Sequence, residues 1–307
     1  MKTVLVLTDF SESARNAAET AIKVAEKLRA NILLLNTYII AEYVVTTQPM
    51  PWPIEYYKVL KQDSIDQLKL EEKRLAEIIK KQEPSDQQIL VSSISMGGSL
   101  AHVLPDLLKD KDIIMIMMGG RHNKGSELLF GSDIIDVINE ANRPVFIISV
   151  VPLILPAKNV VFATDLSEED ICSLNYLICL SKYFDFHIHV CHVTDIKSDS
   201  TPSDKLSDIE QFKSKIDQSK LSCLSFIKLE GNHIKKELTK FSNAIDADIL
   251  ILTHKRHSFF WQILHETPAT DLARFHTQPL LILPCSADPS FFDAFLPLHS
   301  FIPNHNK

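Results

Sequence analysis

The chain has 307 residues, 45% apolar and 23% charged, which argues against disorder and, at roughly 100 to 200 residues per domain, predicts two domains. A net charge of −7 and a pI of ≈ 5.9 disfavour a broad basic nucleic-acid footprint. The five cysteines all fall in the second half, are odd in number and form no CxxC pair, so a reducing cytoplasm fits best.

From the N-terminus, Met1 and Lys2 lead into a short strand-like run ending at Asp9, too short and too quickly polar for a signal peptide. No later apolar run reaches about 18 residues, so no membrane span is expected and the chain is expected to be cytoplasmic. Short apolar runs then alternate with segments of helical period, the pattern of a parallel sheet covered on both faces by helices. In the first half this predicts strands at 3–8, 31–37, 88–94, 112–118 and 144–149 and helices at 13–29, 56–82, 99–109 and 132–141. Ala14, Ala17, Ala18, Ala21 and Ala25 give the first helix a narrow face suited to close packing on a sheet, with Ser11 or Ser13 as its cap. Residues 38–55 carry Pro49, Pro51 and Pro53 and read as an ordered loop or lid. Glu71, Glu72, Lys73 and Arg74 read as a solvated helix face.

The second half repeats the first. Thr8-Asp9-Phe10-Ser11-Glu12 recurs as Thr164-Asp165-Leu166-Ser167-Glu168 at an offset of 156, and the same offset carries Ile32–Asn36 onto Ile188–His192. Further on, Asp112–Ile116 pairs with Asp248–Leu252, and Pro144–Ile148 with Pro279–Leu283. A repeat of this kind governs the fold. The second half therefore predicts strands at 158–164, 186–193, 221–229, 248–253 and 279–284, with helices at 168–184, 203–219, 232–243 and 266–275. The fold class is α/β: two doubly wound, parallel five-stranded sheet domains in tandem, 1–150 and 156–284, joined by a short linker with Pro152 and Pro156. Residues 194–204 read as disordered. The tail, 285–307, holds Phe291, Phe292, Phe295 and Phe301 and is too apolar to float freely.

In an open parallel sheet a ligand sits beyond the carboxyl ends of the strands, where strand order reverses. With the first strand central and the strand ending at Met118 beside it, Asp9 and Gly119 meet at that crevice. Asp9 reads either as an acceptor for a base or ribose or as a helix cap. Four of the seven glycines lie between 119 and 131, and Gly131-Ser132 opens a helix, an arrangement that lets backbone amides approach an anion, with Arg121 and Lys124 adding positive charge. The alternative is a glycine-rich turn with a serine cap. The corresponding stretch of the second half, from Thr253 through Thr267, has no glycine, so no nucleotide triphosphate is expected there; its His254, Lys255, Arg256 and His257 read as a solvated basic loop or an anion attractor.

On the residues Val4-Leu5-Val6-Leu7-Thr8-Asp9-Phe10-Ser11, the Met118-Gly119 loop, Gly131-Ser132 and Pro144-Val145-Phe146-Ile147-Ile148, each half resembles a universal stress protein domain, and the whole is similar to a tandem member of that family. The resemblance implies a non-enzymatic stress-response protein with an adenine-nucleotide site, ATP or a relative, in the first half only. Leu7 and Thr37 would line the base pocket, Asp9 would face adenine or ribose, and Met118 and Gly119 would approach ribose and phosphate. Gly131, Ser132 and the amide of Asp133 would receive phosphates. The family's ATP-binding pattern has Gly, two residues, Gly, nine residues, then Gly with Ser or Thr. Here His122 stands at the second glycine and Gly131 arrives one residue early, so weakened or altered nucleotide binding is expected. The resemblance also implies pairing of the closing strands 144–149 and 279–284 into an intrachain pseudodimer and leaves a further homodimer open.

The other constellations carry less. His187, His189 and His192 share a strand but lack a Cys or carboxylate at ligand spacing, and no metal site is expected. Cys172 and Cys179 share a helix face and read as small buried apolar residues. The nucleophile-elbow, HExxH and GxxxxGK[ST] patterns are absent, so no enzyme is expected and a nucleotide hydrolase is the weakest reading. The competing account is an interaction module that binds no nucleotide and acts through the tail and the proline-rich loop.

Overall fold

The computed structural model describes residues 2–38, 53–81, 88–110, 112–122, 128–129, 132–149, 153, 156–194, 202–216, 218–255, 278–286 and 292–293. The first half runs β1 (Thr3–Leu7), α1 (Glu12–Leu28), β2 (Asn31–Tyr38), α2 (Pro53–Lys81), β3 (Val91–Gly97), α3 (Leu100–Asp110) and β4 (Ile113–Gly119). Two short strands, β5 (Arg121–His122) and β6 (Leu128–Leu129), then precede α4 (Ser132–Glu140) and β7 (Val145–Ile148). The second half follows with β8 (Asn159–Ala163), α5 (Glu168–Phe184), β9 (His187–Thr194), α6 (Pro202–Ser214), a 3-10 turn (Gln218–Cys223) and β10 (Leu224–Glu230). It closes with α7 (Ile234–Ala244), β11 (Ile249–His254) and β12 (Leu280–Pro284).

Ten of these strands form one sheet in the order β10-β9-β8-β11-β12-β7-β4-β1-β2-β3, and β5 and β6 pair apart from it. Within the large sheet every pairing inside a half is parallel, and the halves meet where β12 runs antiparallel to β7, with Leu281 opposite Phe146. Strand order reverses between β1 and β4, the crevice expected from the sequence. Both faces of the sheet are apolar, as parallel strands between helices require. Among the described residues no helix is long and apolar enough to cross a membrane.

Helix α1 lies against the sheet because its inward residues are small. Ala17, Ala21 and Ala25 are fully buried, and the chain leaves the helix through Arg29 at φ 51. Asp185 repeats that left-handed exit from α5 at φ 56, 156 residues on. The caps of the two helices sit at Ser11 and Ser167; Ser11 Oγ accepts from the Ala14 amide at 3.2 Å, while Ser13 lies inside α1.

Several element boundaries differ from the sequence reading. Pro53 opens α2 instead of belonging to the preceding loop, a position where a missing N–H costs nothing; residues 39–52, which carry the lid reading, lie outside the described residues. Strand β3 spans 91–97, not 88–94, because its ladder partners in β2 run from Ile32 to Tyr38. Strand β10 likewise begins at Leu224, opposite Ile188, and the residues before it turn as a 3-10 helix because β9 begins only at His187. Thr194 and Pro202–Asp204 are ordered as strand and helix, against the reading of 194–204 as disordered; 195–201 and the expected helix 266–275 lie outside the described residues. Glu71 is not solvated: it is 6% exposed and paired with Arg74 at 2.6 Å, and Arg74 reaches Glu19, tying α2 to α1. In the tail, Phe292 is buried and stacks on Tyr176 of α5, with ring centroids 4.7 Å apart.

The alanine face of α1 sets a direct test. Ala21→Leu forces a larger side chain between helix and sheet and is expected to destabilise the chain by about 1–3 kcal/mol, read as a lowered denaturant midpoint with unchanged slope.

Candidate functional site

A cavity of ≈ 230 Å³ opens beyond the carboxyl ends of β1 and β4. Of the eight residues singled out in the sequence, Leu7, Asp9, Thr37, Met118, Gly119 and Asp133 line it. Gly131 lies outside the described residues; Ser132 is placed as the first residue of α4, its side chain not described. Thr8, Asn36, Ser99, Leu100 and Ile134 also border the cavity and were not singled out. Asn36 could have been found: it is a polar residue at the carboxyl end of a buried strand, next to the crevice.

The Asp9 side chain does not cap α1, which Ser11 does. Its Oδ1 accepts from the Ser11 amide at 3.0 Å, while Thr8 Oγ1 accepts from the Phe10 amide at 3.0 Å. These two bonds hold Phe10 at φ 63 and leave Asp9 exposed at the cavity mouth. Across the crevice, Gly119 makes the close approach possible. A Cβ there would stand 2.5 Å from the Ala14 nitrogen and the Ser13 carbonyl carbon, so any side chain would push β4 off the first turn of α1. Beyond Gly119 the loop doubles back, with Arg121 opposite Leu129 and His122 opposite Leu128, a ribbon the sequence reading did not foresee.

The second half builds the same turn and fills it. Asp165 Oδ1 accepts from the Ser167 amide, Thr164 Oγ1 from the Leu166 amide, and Leu166 sits at φ 67. The ladders set the correspondence between β4 and β11. Ile116 pairs with Val145 and Leu250 with Leu280, so Ile116 answers to Leu250 and Gly119 to Thr253. The pairing of Asp112–Ile116 with Asp248–Leu252 read from the sequence is thus two residues out of register with the ladders. Thr253 is buried and donates to Ser173 Oγ at 3.0 Å.

Lys255 then folds back over the start of α5. Its Nζ lies 2.5 Å from Asp165 Oδ1 and 3.1 Å from Asp170 Oδ1, and it also donates to Ser167 Oγ. Only 13% of the Lys255 side chain and 2% of Asp170 are exposed. Thr164 Oγ1 and the Asp165 amide donate to the other Asp170 oxygen at 2.7 and 3.0 Å. Lys255 is therefore neither a solvated loop residue nor an anion attractor, since its charge is neutralised internally. Burial pushes the Asp170 carboxyl up against the opposing Lys255 charge, while at Asp165 the Lys255 hydrogen bond overcomes burial and holds the carboxyl below its ordinary value. Burial alone would lower the Lys255 ammonium, but the two carboxylates raise it. An ammonium held in its charged form cannot activate Ser167 as a nucleophile.

The histidine strand is structural. His187 Nε2 meets Ser225 Oγ at 2.7 Å, and burial with the neighbouring His187 lowers His189. Among the described residues no three His, Cys, Asp or Glu side chains cluster as metal ligands would. Cys172 is buried and Cys179 half-buried.

The doubly wound halves and the crevice at β1 and β4 define a Rossmann-like α/β fold built from two repeated halves. Residues 1–149 match the model of the universal stress protein family, and this half of the chain belongs to that family. Among solved structures, a universal stress protein from Archaeoglobus fulgidus DSM 4304 superposes with TM-score 0.61 at 16% identity, covering 92% of this chain and 96% of that one. A functionally unknown protein from Pseudomonas aeruginosa PAO1 superposes with TM-score 0.57 at 11% identity, covering 95% of each chain. A universal stress protein in complex with cAMP matches at 15% identity and TM-score 0.31, over 42% of this chain and 98% of that one. No curated protein matches the chain.

Lys255 offers the test of the filled cleft. Lys255→Met leaves Asp170 buried without its counter-charge and is expected to cost about 3–5 kcal/mol, measured by urea unfolding at pH 7. The Lys255 ammonium is raised in the folded chain, so its contribution is complete below its unfolded value of about 10.4 and is lost as pH rises through the folded one. The gap between wild type and variant should hold from pH 7 to about 10 and close above that.

Proposed function

We propose that the chain is a cytoplasmic, non-enzymatic stress-response protein that binds one adenine nucleotide, in its first half. The observation that carries this reading is the contrast between two equivalent crevices. The first leaves ≈ 230 Å³ beside the bare backbone of Gly119, and the second is closed by Lys255 on Asp165 and Asp170. Family membership of residues 1–149 supports the ligand class.

The first cavity is smaller than the roughly 300–1,000 Å³ typical of small-molecule sites. It suits the nucleoside part of a nucleotide, with Leu7 and Met118 against the base and Asp9 at the ribose or base edge. The phosphates would lie outside, toward Gly131, Ser132 and the Asp133 amide at the start of α4, where helix amides favour anions. Asp9 and Asp133 are the ionisable side chains among the described lining residues, and both are acidic. That charge weakens the grip on a triphosphate more than on a monophosphate. No general base stands at recognised spacing, which supports binding without turnover. The stacking of Phe292 on Tyr176 commits that part of the tail to the chain itself, which favours nucleotide binding over a tail-driven interaction module.

Titration calorimetry with ATP, AMP and cAMP should give one site per chain, with AMP no weaker than ATP. Asp9→Ala is expected to weaken AMP by about tenfold and Gly131→Glu to weaken every phosphate-bearing ligand, each within the range of one lost polar contact. Two sites per chain, or none at millimolar ligand, would sink the reading.

A further inference from the structure

Asn36 stands at the carboxyl end of β2 on the cavity wall. Its Nδ2 donates to the Thr8 carbonyl at 2.7 Å, and its Oδ1 accepts from Ser64 Oγ of α2 at 2.6 Å. Ser64 is buried and lies 2.6 Å from Ser95 Oγ of β3. A serine hydroxyl has one proton. Because that of Ser64 goes to Asn36, Ser95 must donate to Ser64, and the chain of bonds runs one way from β3 through α2 to the cavity wall. A carbonyl only accepts, so the Asn36 nitrogen must face Thr8. The amide is thus held in one orientation by two partners, the Thr8 carbonyl and the Ser64 hydroxyl.

A primary amide carries two N–H donors, and Thr8 takes one. Among the described residues nothing accepts the other. The second half shows what that donor adds. His192 occupies the place of Asn36, 156 residues on, and its Nδ1 meets the Thr164 carbonyl at 2.9 Å. A neutral imidazole that donates through Nδ1 has only an acceptor left at Nε2. Lys228 stands opposite His192, where Ser95 stands opposite Asn36, and is paired with Glu230, so the serine relay is absent there. Histidine and asparagine both clamp the turn; only asparagine keeps a donor, and it does so in the half whose crevice is open.

We propose that Asn36 is a specificity-determining residue of this cavity, donating its second amide N–H to a ring nitrogen of the bound nucleobase. The inference rests on the adenine-nucleotide reading. With Asp9 as acceptor and Asn36 as donor, the pair fits an aminated heterocycle, which offers an exocyclic N–H beside a ring nitrogen acceptor. An oxo base would place a carbonyl against the Asp9 carboxylate.

The test is calorimetric titration of AMP and of its 1-, 3- and 7-deaza forms, each of which replaces one ring nitrogen by C–H, into wild type and Asn36→His. Wild type should bind one deaza form about tenfold more weakly than AMP, the size of one lost hydrogen bond, and the other two within about twofold. Asn36→His keeps the bond to Thr8 but removes the acceptor of the buried Ser64 hydroxyl, so it should lower the thermal midpoint while the chain still folds, lose about tenfold for AMP, and no longer discriminate that deaza form. Equal wild-type affinity for all three deaza forms, or AMP bound as tightly by a folded Asn36→His as by wild type, overturns the role of Asn36 and leaves the nucleotide reading standing. Wild type that binds no AMP, ATP or cAMP overturns both.

Discussion

The first crevice depends on one close approach, that of the end of β4 to the first turn of α1. At Gly119 the two backbones come so near that even a methyl group would overlap the Ser13 carbonyl carbon and the Ala14 nitrogen. That contact sets how far the β1 and β4 loops can spread, and it leaves peptide groups instead of side chains along one wall of the cavity. The alanine face of α1 serves the same end, because a helix with bulkier inward residues could not lie so close to the sheet.

The second half shows the alternative packing. With Thr253 at the place of Gly119 and Asp170 at the place of Ala14, the start of α5 carries a buried carboxylate, which is costly unless neutralised. Lys255 supplies the counter-charge from inside the chain. The same turn geometry, Thr-Asp followed by a residue at positive φ, therefore serves a ligand crevice in one half and an internal ion pair in the other. Repetition preserved the backbone device, and a few side chains decided its use.

The halves are joined through the edge each would otherwise expose. Pairing β7 with β12 joins two five-stranded sheets into one and removes two free edges of the kind that invite aggregation. What remains at the outer ends are β3 and β10. Ser95 in β3 links it to the first cavity through Ser64, whereas β10 carries the Lys228–Glu230 pair.

Much of this was legible in the sequence. The 156-residue repeat, the alternation of apolar runs with helical segments and the clustering of glycines near 119 follow from periodicity and composition, which are local properties. Six of eight expected site residues line the cavity: Asp9 and Gly119 meet there because strand order reverses between β1 and β4, while Leu7, Thr37 and Asp133 were implied by the family resemblance. Tertiary structure alone decided the rest. The ends of β3 and β10 depend on where a neighbouring strand begins, the register of β11 against β4 on the ladders each makes, and the burial of Glu71 on the packing of α2 against α1, where Arg74 bonds both Glu71 and Glu19. The charges of Lys255 and the amide of Asn36 look like ordinary surface polarity along the chain. Their roles appear only when folding brings residues 85 or 90 positions distant, or 28, within hydrogen-bond reach, because a polar group's energy is set by its partners and its distance from water.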